Sequence, residues 1–222
     1  MVLQYFKWVC LAGIVWISGS CNSDTGSGTR IADGHLTHHL PLEDMDSSLV
    51  PFIPKGYELI WYKEADIDLD DLSELIMVLV QTDEQDQSDS EHGRPALRLF
   101  QIITRDKNGR EVIRVLNKNV IECIDCSGPN GDAFKGITTR SNGFDIEFEI
   151  MNEQYWKEIK SFDYDTARHT WILISDHFIN YKSEDPSNPN ATLTIGYEET
   201  LTPEDFGTIS IQDFNIYNPG RR

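Results

Sequence analysis

Phe144-Asp145-Ile146-Glu147-Phe148-Glu149-Ile150 alternates without a break: apolar at each even position, acidic at each odd one. A period of two puts four apolar side chains on one face of a β-strand and three carboxylates on the other. One dry face and one wet face describe a half-exposed strand of an antiparallel sheet. Working outward, short apolar runs recur on both sides, separated by Gly, Pro, Asn and Asp. Upstream, candidate strands are Tyr57–Tyr62, Leu75–Gln81, Leu97–Thr104, Val112–Leu116 and Val120–Cys123. Downstream, they are Lys160–Tyr164, Trp171–Ser175, Leu193–Tyr197 and Ile209–Phe214. Asp106-Lys107-Asn108-Gly109 between two of them is a hairpin turn signal. Helical signals are few. Glu153–Ile159 has room for two turns. Thr202-Pro203-Glu204-Asp205-Phe206-Gly207 predicts a one-turn helix, with Thr as N-cap, Pro as first helical residue and Gly as stop. Thr82–Arg94 and Ser183–Asn190 are polar and turn-rich, and are expected to be surface loops. No fixed-period repeat is present. The expectation is a mainly β fold of antiparallel sheets, sandwich-like or propeller-fragment-like, with one or two short helices.

The chain opens differently. MVLQYFK carries one charge, Lys7, followed by the apolar run Trp8–Ile17, the small residues Ser18, Gly19 and Ser20, and then Cys21. A basic start, a short apolar stretch and a small-residue exit make a secretory signal, and ten apolar residues are half of what a spanning helix needs. Small side chains before a cleaved bond fit a peptidase's narrow pocket, and a thiol at the new N-terminus can take a diacylglyceryl group. Ile17-Ser18-Gly19-Ser20-Cys21 resembles the lipobox of bacterial lipoproteins, in the looser form of the Bacteroidetes type. Ser18 stands where Leu is usual. The competing readings are an ordinary signal peptide and a short buried strand. On the lipoprotein reading, residues 1–20 are removed, Cys21 carries the lipid, and the protein stays on a membrane facing the periplasm or the exterior. Three acyl chains hold firmly, at about 0.8 kcal/mol for each buried CH₂. Residues 21–49 have little apolar content and are expected to form a flexible tether. Residues 50–222 make one β-rich domain by length.

Acids number 37 against 19 Lys and Arg, a net charge of −18. That field repels nucleic acid and suits cations and basic partners. Once Cys10 leaves with the signal and Cys21 is lipidated, Cys123 and Cys126 remain. For an exported pair without competitors the expectation is one disulfide. A redox CxxC normally sits at a helix N-terminus after a strand, whereas here it precedes a Gly-Pro-Asn-Gly turn.

The most specific chemical feature is Asp66-Ile67-Asp68-Leu69-Asp70-Asp71-Leu72-Ser73-Glu74. Its acids fall at loop positions one, three, five and nine. Ca²⁺ takes six to eight oxygen ligands, and carboxylates at alternating positions of a tight loop converge on one point. The expected ligands are Asp66, Asp68, Asp70 and Glu74 by side chain, with Leu72 by its carbonyl. It is not an EF-hand, because Met77 occupies position twelve. The bland alternative is a solvated acidic turn.

Asp66 to Val80 resembles the DxDxDGxxD loop-then-strand of FG-GAP and VCBS-type repeats. With Pro54-Lys55-Gly56-Tyr57, Arg94-Pro95-Ala96-Leu97, Cys123-x-x-Cys126, Gly128, Gly131-Asp132 and Phe134, residues 51–173 resemble a group of uncharacterised bacterial secreted proteins and lipoproteins. Members often show a GDLNxDGxxD loop, an RPL strand, a CxxCGG–GDPF segment and a later Trp. The resemblance implies architecture and no reaction. This chain departs at Asp71, where the group has Gly, at Glu74, where it has Asp, and at Ser127 to Phe134, which lack the second Gly and the Pro.

Other constellations are less specific. Asp33, His35, His38 and His39 could hold a transition metal, but they sit in the tether, where ordering costs entropy. No Ser-His-Asp order, G-x-S-x-G or phosphate loop is present. Trp61, Trp156 and Trp171 could line a sugar platform or fill a core. The functional expectation is a lipid-anchored envelope domain of binding or structural role, with an envelope protein or glycan as partner. The alternative is an envelope hydrolase acting on glycan or peptide through a carboxylate pair.

Overall fold

The computed structural model describes residues 47–151, 155–185, 187–188 and 191–218, all within one folded unit. The signal segment, Cys21 and the Asp33–His39 cluster lie outside the described residues.

In chain order the elements are β1 (Tyr57–Ala65), β2 (Glu74–Gln81), α1 (Glu84–Gln87), β3 (Leu99–Arg105) and β4 (Glu111–Asn117). Then follow β5 (Phe134–Arg140), β6 (Gly143–Met151), β7 (Tyr155–Asp165), β8 (Thr170–Ser183), β9 (Leu193–Leu201) and α2 (Pro203–Phe206). The strands form two antiparallel sheets, β1-β2-β3-β4 and β5-β6-β7-β8-β9, each in sequence order. Every pairing is thus a local hairpin. The mainly β expectation holds, in its two-sheet form.

The alternating strand sets the layering. On β6, Phe144, Ile146, Phe148 and Ile150 are buried, while Asp145, Glu147 and Glu149 are half-buried on the opposite face. Phe144 meets Phe100 of β3 across the layers at 5.8 Å, Phe162 of β7 at 5.3 Å and Trp171 of β8 at 6.4 Å. Each such buried ring contributes about 1.5–3 kcal/mol. β2 is buried on both faces, as its continuous apolar run requires. Ile76 and Val78 join the inter-sheet core; Met77 and Leu79 face a second cluster with Leu59, Leu99 and Ile103. That cluster is capped by the segment before β1, where Leu49 is 1% exposed. Leu49 therefore belongs to the fold and not to the tether.

Several expectations are corrected. Residues 155–159 of the expected helix Glu153–Ile159 form the start of β7, paired with β6 and β8. Two strand neighbours outweigh a weak helical pattern over seven residues. β5 has no strand signal in the sequence, because Gly136 and the polar Thr138-Thr139-Arg140 break its apolar pattern. Val120–Cys123 is not a strand: Val120, Ile121 and Cys123 are buried as irregular chain. Ile209–Phe214 meets β8 only through an isolated bridge, with Ile211 N–H on the Trp171 carbonyl at 2.8 Å. Burial made both segments apolar without making them strands. Thr82–Arg94 contains α1, and Glu84 within it is buried. The helix after Thr202 forms as expected, and Thr202 N–H donates to Asp205 Oδ2 at 2.8 Å.

The crossover between the sheets, residues 118–133, is pinned at three places. Cys123 and Cys126 are disulfide-bonded. The Asp125 carboxylate accepts from the Ser88 hydroxyl and from Ser90 N–H at 2.9 Å. Arg98, 1% exposed, donates to both Glu84 and Asp132 through two nitrogens each pair, at 2.6–3.1 Å.

Candidate functional site

The hairpin β1–β2 closes with Ala65 opposite Glu74, which leaves the acidic stretch as an eight-residue loop, 66–73. The loop is built on its own carboxylates. Asp66 Oδ1 accepts from Asp68 N–H at 3.4 Å and Leu69 N–H at 2.9 Å, and Asp66 Oδ2 from Asp71 N–H at 3.2 Å. Asp70 Oδ1 accepts from Leu72 N–H at 2.8 Å. Aspartate favours this work because its short side chain reaches backbone N–H groups two or three residues on. Asp71 adopts a left-handed φ of 65°, a conformation that Gly takes most readily and Asp tolerates better than most, and Leu69 does so at 69°.

Ile67 fixes the loop to the rest of the molecule. Its side chain is fully buried in the inter-sheet core. Its N–H donates to Glu74 Oε2 at 3.0 Å, and its carbonyl accepts from the Trp171 indole N–H at 3.0 Å. Trp171 comes from β8, packed against Tyr164 of β7 at 5.1 Å. The loop belongs to the first sheet, yet the second sheet holds it in place.

Three carboxylates meet at this point. One oxygen each from Asp66, Asp68 and Glu74 lie within 4.8 Å of one another. Glu74 is 1% exposed; burial, helped by the charges of Asp68, Asp70 and Asp66, pushes its carboxyl up to about 7. Burial also raises the Asp68 carboxyl, with Asp70 and Asp66 adding to it. Asp68 Oδ1 is buried and accepts no hydrogen bond among the described residues. None of the described ion pairs brings a Lys or Arg to these acids. The nearby Tyr164 hydroxyl is raised by burial and by the charges of Asp68, Asp70 and Glu74. Negative charge is thus concentrated where desolvation makes it costly.

The expected ligand set is therefore brought together in part. Asp66, Asp68 and Glu74 gather. Asp70 and Leu72 are exposed beside that group, tied to each other through the Leu72 N–H. Trp171 and Tyr164 had no signal linking them to the loop in the sequence, since they lie about a hundred residues downstream.

Elsewhere, Trp61 and Trp171 are core residues and Trp156 packs against the core. A shallow cavity beside Trp61 is lined by Lys135, Gly136, Ile137, Thr138 and Glu147. Glu147 is the single carboxylate there. Burial opposes its ionisation, but Lys157 and Thr138 hold it below the usual carboxylate range. His92 sits on Asp89 and His177 on Glu198. Among the described residues no helix is long and apolar enough to cross a membrane. Compared with family models, curated proteins and solved structures, the chain matches none.

Proposed function

We propose that this chain is a lipid-anchored β-sandwich domain of the bacterial cell envelope, with a binding or structural role, held to the membrane through Cys21 and stabilised by one Ca²⁺ in the β1–β2 loop. The observation that carries the metal reading is Asp68 Oδ1, buried beside Asp66 and Glu74 and without a hydrogen-bond partner among the described residues. A cation there would give that oxygen a partner and offset the crowded charge. Asp66, Asp68 and Glu74 would hold the ion by side chain, with water and loop oxygens completing the six to eight positions Ca²⁺ prefers. Such a site orders a hairpin and does no chemistry. The partner of the domain would be an envelope protein or a glycan, and not nucleic acid, given the charge of −18. The hydrolase alternative needs two carboxyls facing one cleft. The cavity beside Trp61 supplies only Glu147.

Calorimetric titration of Ca²⁺ into the protein, alongside Asp68→Asn, tests the reading. We expect one equivalent to bind, binding to be lost in the variant, and the melting temperature to rise with Ca²⁺ in the wild type alone. At a hundredfold excess over the dissociation constant the gain is about 2.7 kcal/mol. No heat and no shift in melting would leave the acids as a self-capped solvated turn.

A further inference from the structure

Each sheet ends in a strand that has a neighbour on one side only among the described residues: β4 in the first sheet, β9 in the second. The other two edges, β1 and β5, lie against each other. A free edge presents a row of unpaired backbone N–H and C=O groups, ready to pair with another strand. Both edges also carry apolar side chains in water. Among the described residues, five of the ten large apolar residues that are exposed sit on them: Val112, Ile113 and Leu116 on β4, and Ile195 and Tyr197 on β9. Leu116 is 57% exposed and Ile195 54%. On β9, Tyr197 ends an aromatic row that runs across three strands, Trp156 to Phe178 at 6.0 Å and Phe178 to Tyr197 at 6.4 Å.

The two edges differ in charge. Residues 105–118, which include β4, hold five Lys and Arg against two acids, in a chain where acids outnumber bases 37 to 19. Arg105, Lys107, Arg114 and Lys118 make no ion pair with a carboxylate among the described residues; Arg114 donates instead to the His169 carbonyl at 2.8 Å. Residues 183–218, which include β9, hold seven acids and no Lys or Arg. Glu198 and Glu199 stand on the exposed strand itself. Natural sheets blunt their edges with charge. β4 itself holds Glu111 and Arg114, and its positive excess lies in the flanks, with Lys107 and Arg110 before it and Lys118 after it. The β4 edge is thus net positive and the β9 edge net negative, so unlike edges attract.

We propose that β4 of one copy of this chain pairs with β9 of another. Backbone hydrogen bonds and the five apolar side chains supply adhesion, and the charges select the unlike edge. Two β9 edges would bring Glu198 and Glu199 of both copies together, and two β4 edges would set one net-positive segment, residues 105–118, against another. Each copy carries both edges, so the contact is heterologous and growth beyond a pair is permitted. The inference is independent of the metal reading, since neither edge includes the β1–β2 loop.

Sedimentation velocity of the full chain at low salt tests it, with two charge-reversed variants: Lys107→Glu with Arg114→Glu, and Glu198→Lys with Glu199→Lys. All four positions are surface residues, and coincident thermal melts will show that the variants fold. The wild type is expected to sediment above the monomer mass, increasingly with concentration, and to dissociate as salt screens the charges. Each variant alone is expected to dissociate, with the dissociation constant raised about tenfold or more by like charges. An equimolar mixture of the two variants is expected to associate again, because one retains the basic flanks of β4 and the other an acidic β9. A wild type that is monomeric at every concentration overturns the proposal. So do variants that associate like the wild type, which would place the contact elsewhere, the apolar N-terminal run included. Two monomeric variants that fail to associate when mixed also overturn it.

Discussion

Glu74 opens β2 with its carboxylate turned into the core side of the acidic loop, and burial pushes that carboxyl up to about 7 from an ordinary 4.5. In the unfolded chain it titrates at the ordinary value, so the folded state binds a proton that the unfolded state has lost between those two pH values. The stabilising contribution is complete below about pH 4.5 and disappears as pH rises through 7. Without cations, the domain is expected to be less stable at pH 8 than at pH 4.5 by about 3 kcal/mol from this group. Urea denaturation in chelator at both pH values measures it, and Glu74→Gln should flatten that window. Acids with lowered carboxyls, such as Asp125, held down by Ser88 and Ser90 against the effect of its burial, act in a separate window, below about pH 4. With Ca²⁺ present the sign at Glu74 reverses, because the metal binds the ionised form and releases the proton. At this scale the sequence was informative. The one-three-five-nine acids marked the loop, and three of the four converge. The exposed position of Asp70 was not legible, because it depends on how the chain turns at Leu69 and Asp71, both left-handed.

Among elements, β8 has the widest reach. Its Trp171 fills the core and donates to the Ile67 carbonyl of a loop in the opposite sheet. Trp171→Phe keeps an aromatic ring but leaves that buried carbonyl without its donor. The expected loss is about 2 kcal/mol of stability in denaturant titration, with weaker Ca²⁺ binding, since the loop loses its clamp. The crossover gives a second case. Arg98→Ala removes the guanidinium shared by Glu84 and Asp132 and is expected to cost about 3–5 kcal/mol, whereas replacing all three residues by apolar ones of similar volume should cost far less. Equal losses for the two variants would show that packing around Arg98, and not its charge, carries the stability. Element identity was legible where the period was strong, as in β6. It failed at β5 and at the start of β7, where strand neighbours overrode a weak local pattern.

At the scale of the whole molecule, two features concern association with other bodies: the anchor proposed at Cys21, and β4 and β9, each with a neighbour on one side only among the described residues. If Cys21 carries lipid, Cys21→Ser is expected to release the protein from membranes into the soluble fraction, and membrane fractionation by immunoblot checks it; unchanged partition would remove the anchor from the reading. Charge was fully legible, since net charge is a sum over composition and independent of conformation. So was fold class, because strand periodicity records which face of each segment is dry. The division into a four-strand and a five-strand sheet was not legible. Apolar stretches such as Val120–Ile121 and Ile209–Ile211 read the same whether they lie in strands or in irregular buried chain, since burial and not hydrogen bonding selects their composition. By itself the sequence determined a β-rich, strongly acidic domain with one acid-dense loop, because local periodicity and charge are properties of neighbouring residues. Only the tertiary structure decided that Ile67 pegs that loop into the core, that Trp171 clamps it from the other sheet, and that β4, with its basic flanks, and the acidic β9 have a neighbour on one side only among the described residues. Those facts join residues up to about a hundred positions apart. No local pattern records such pairings, because they depend on how the two sheets close upon a shared core.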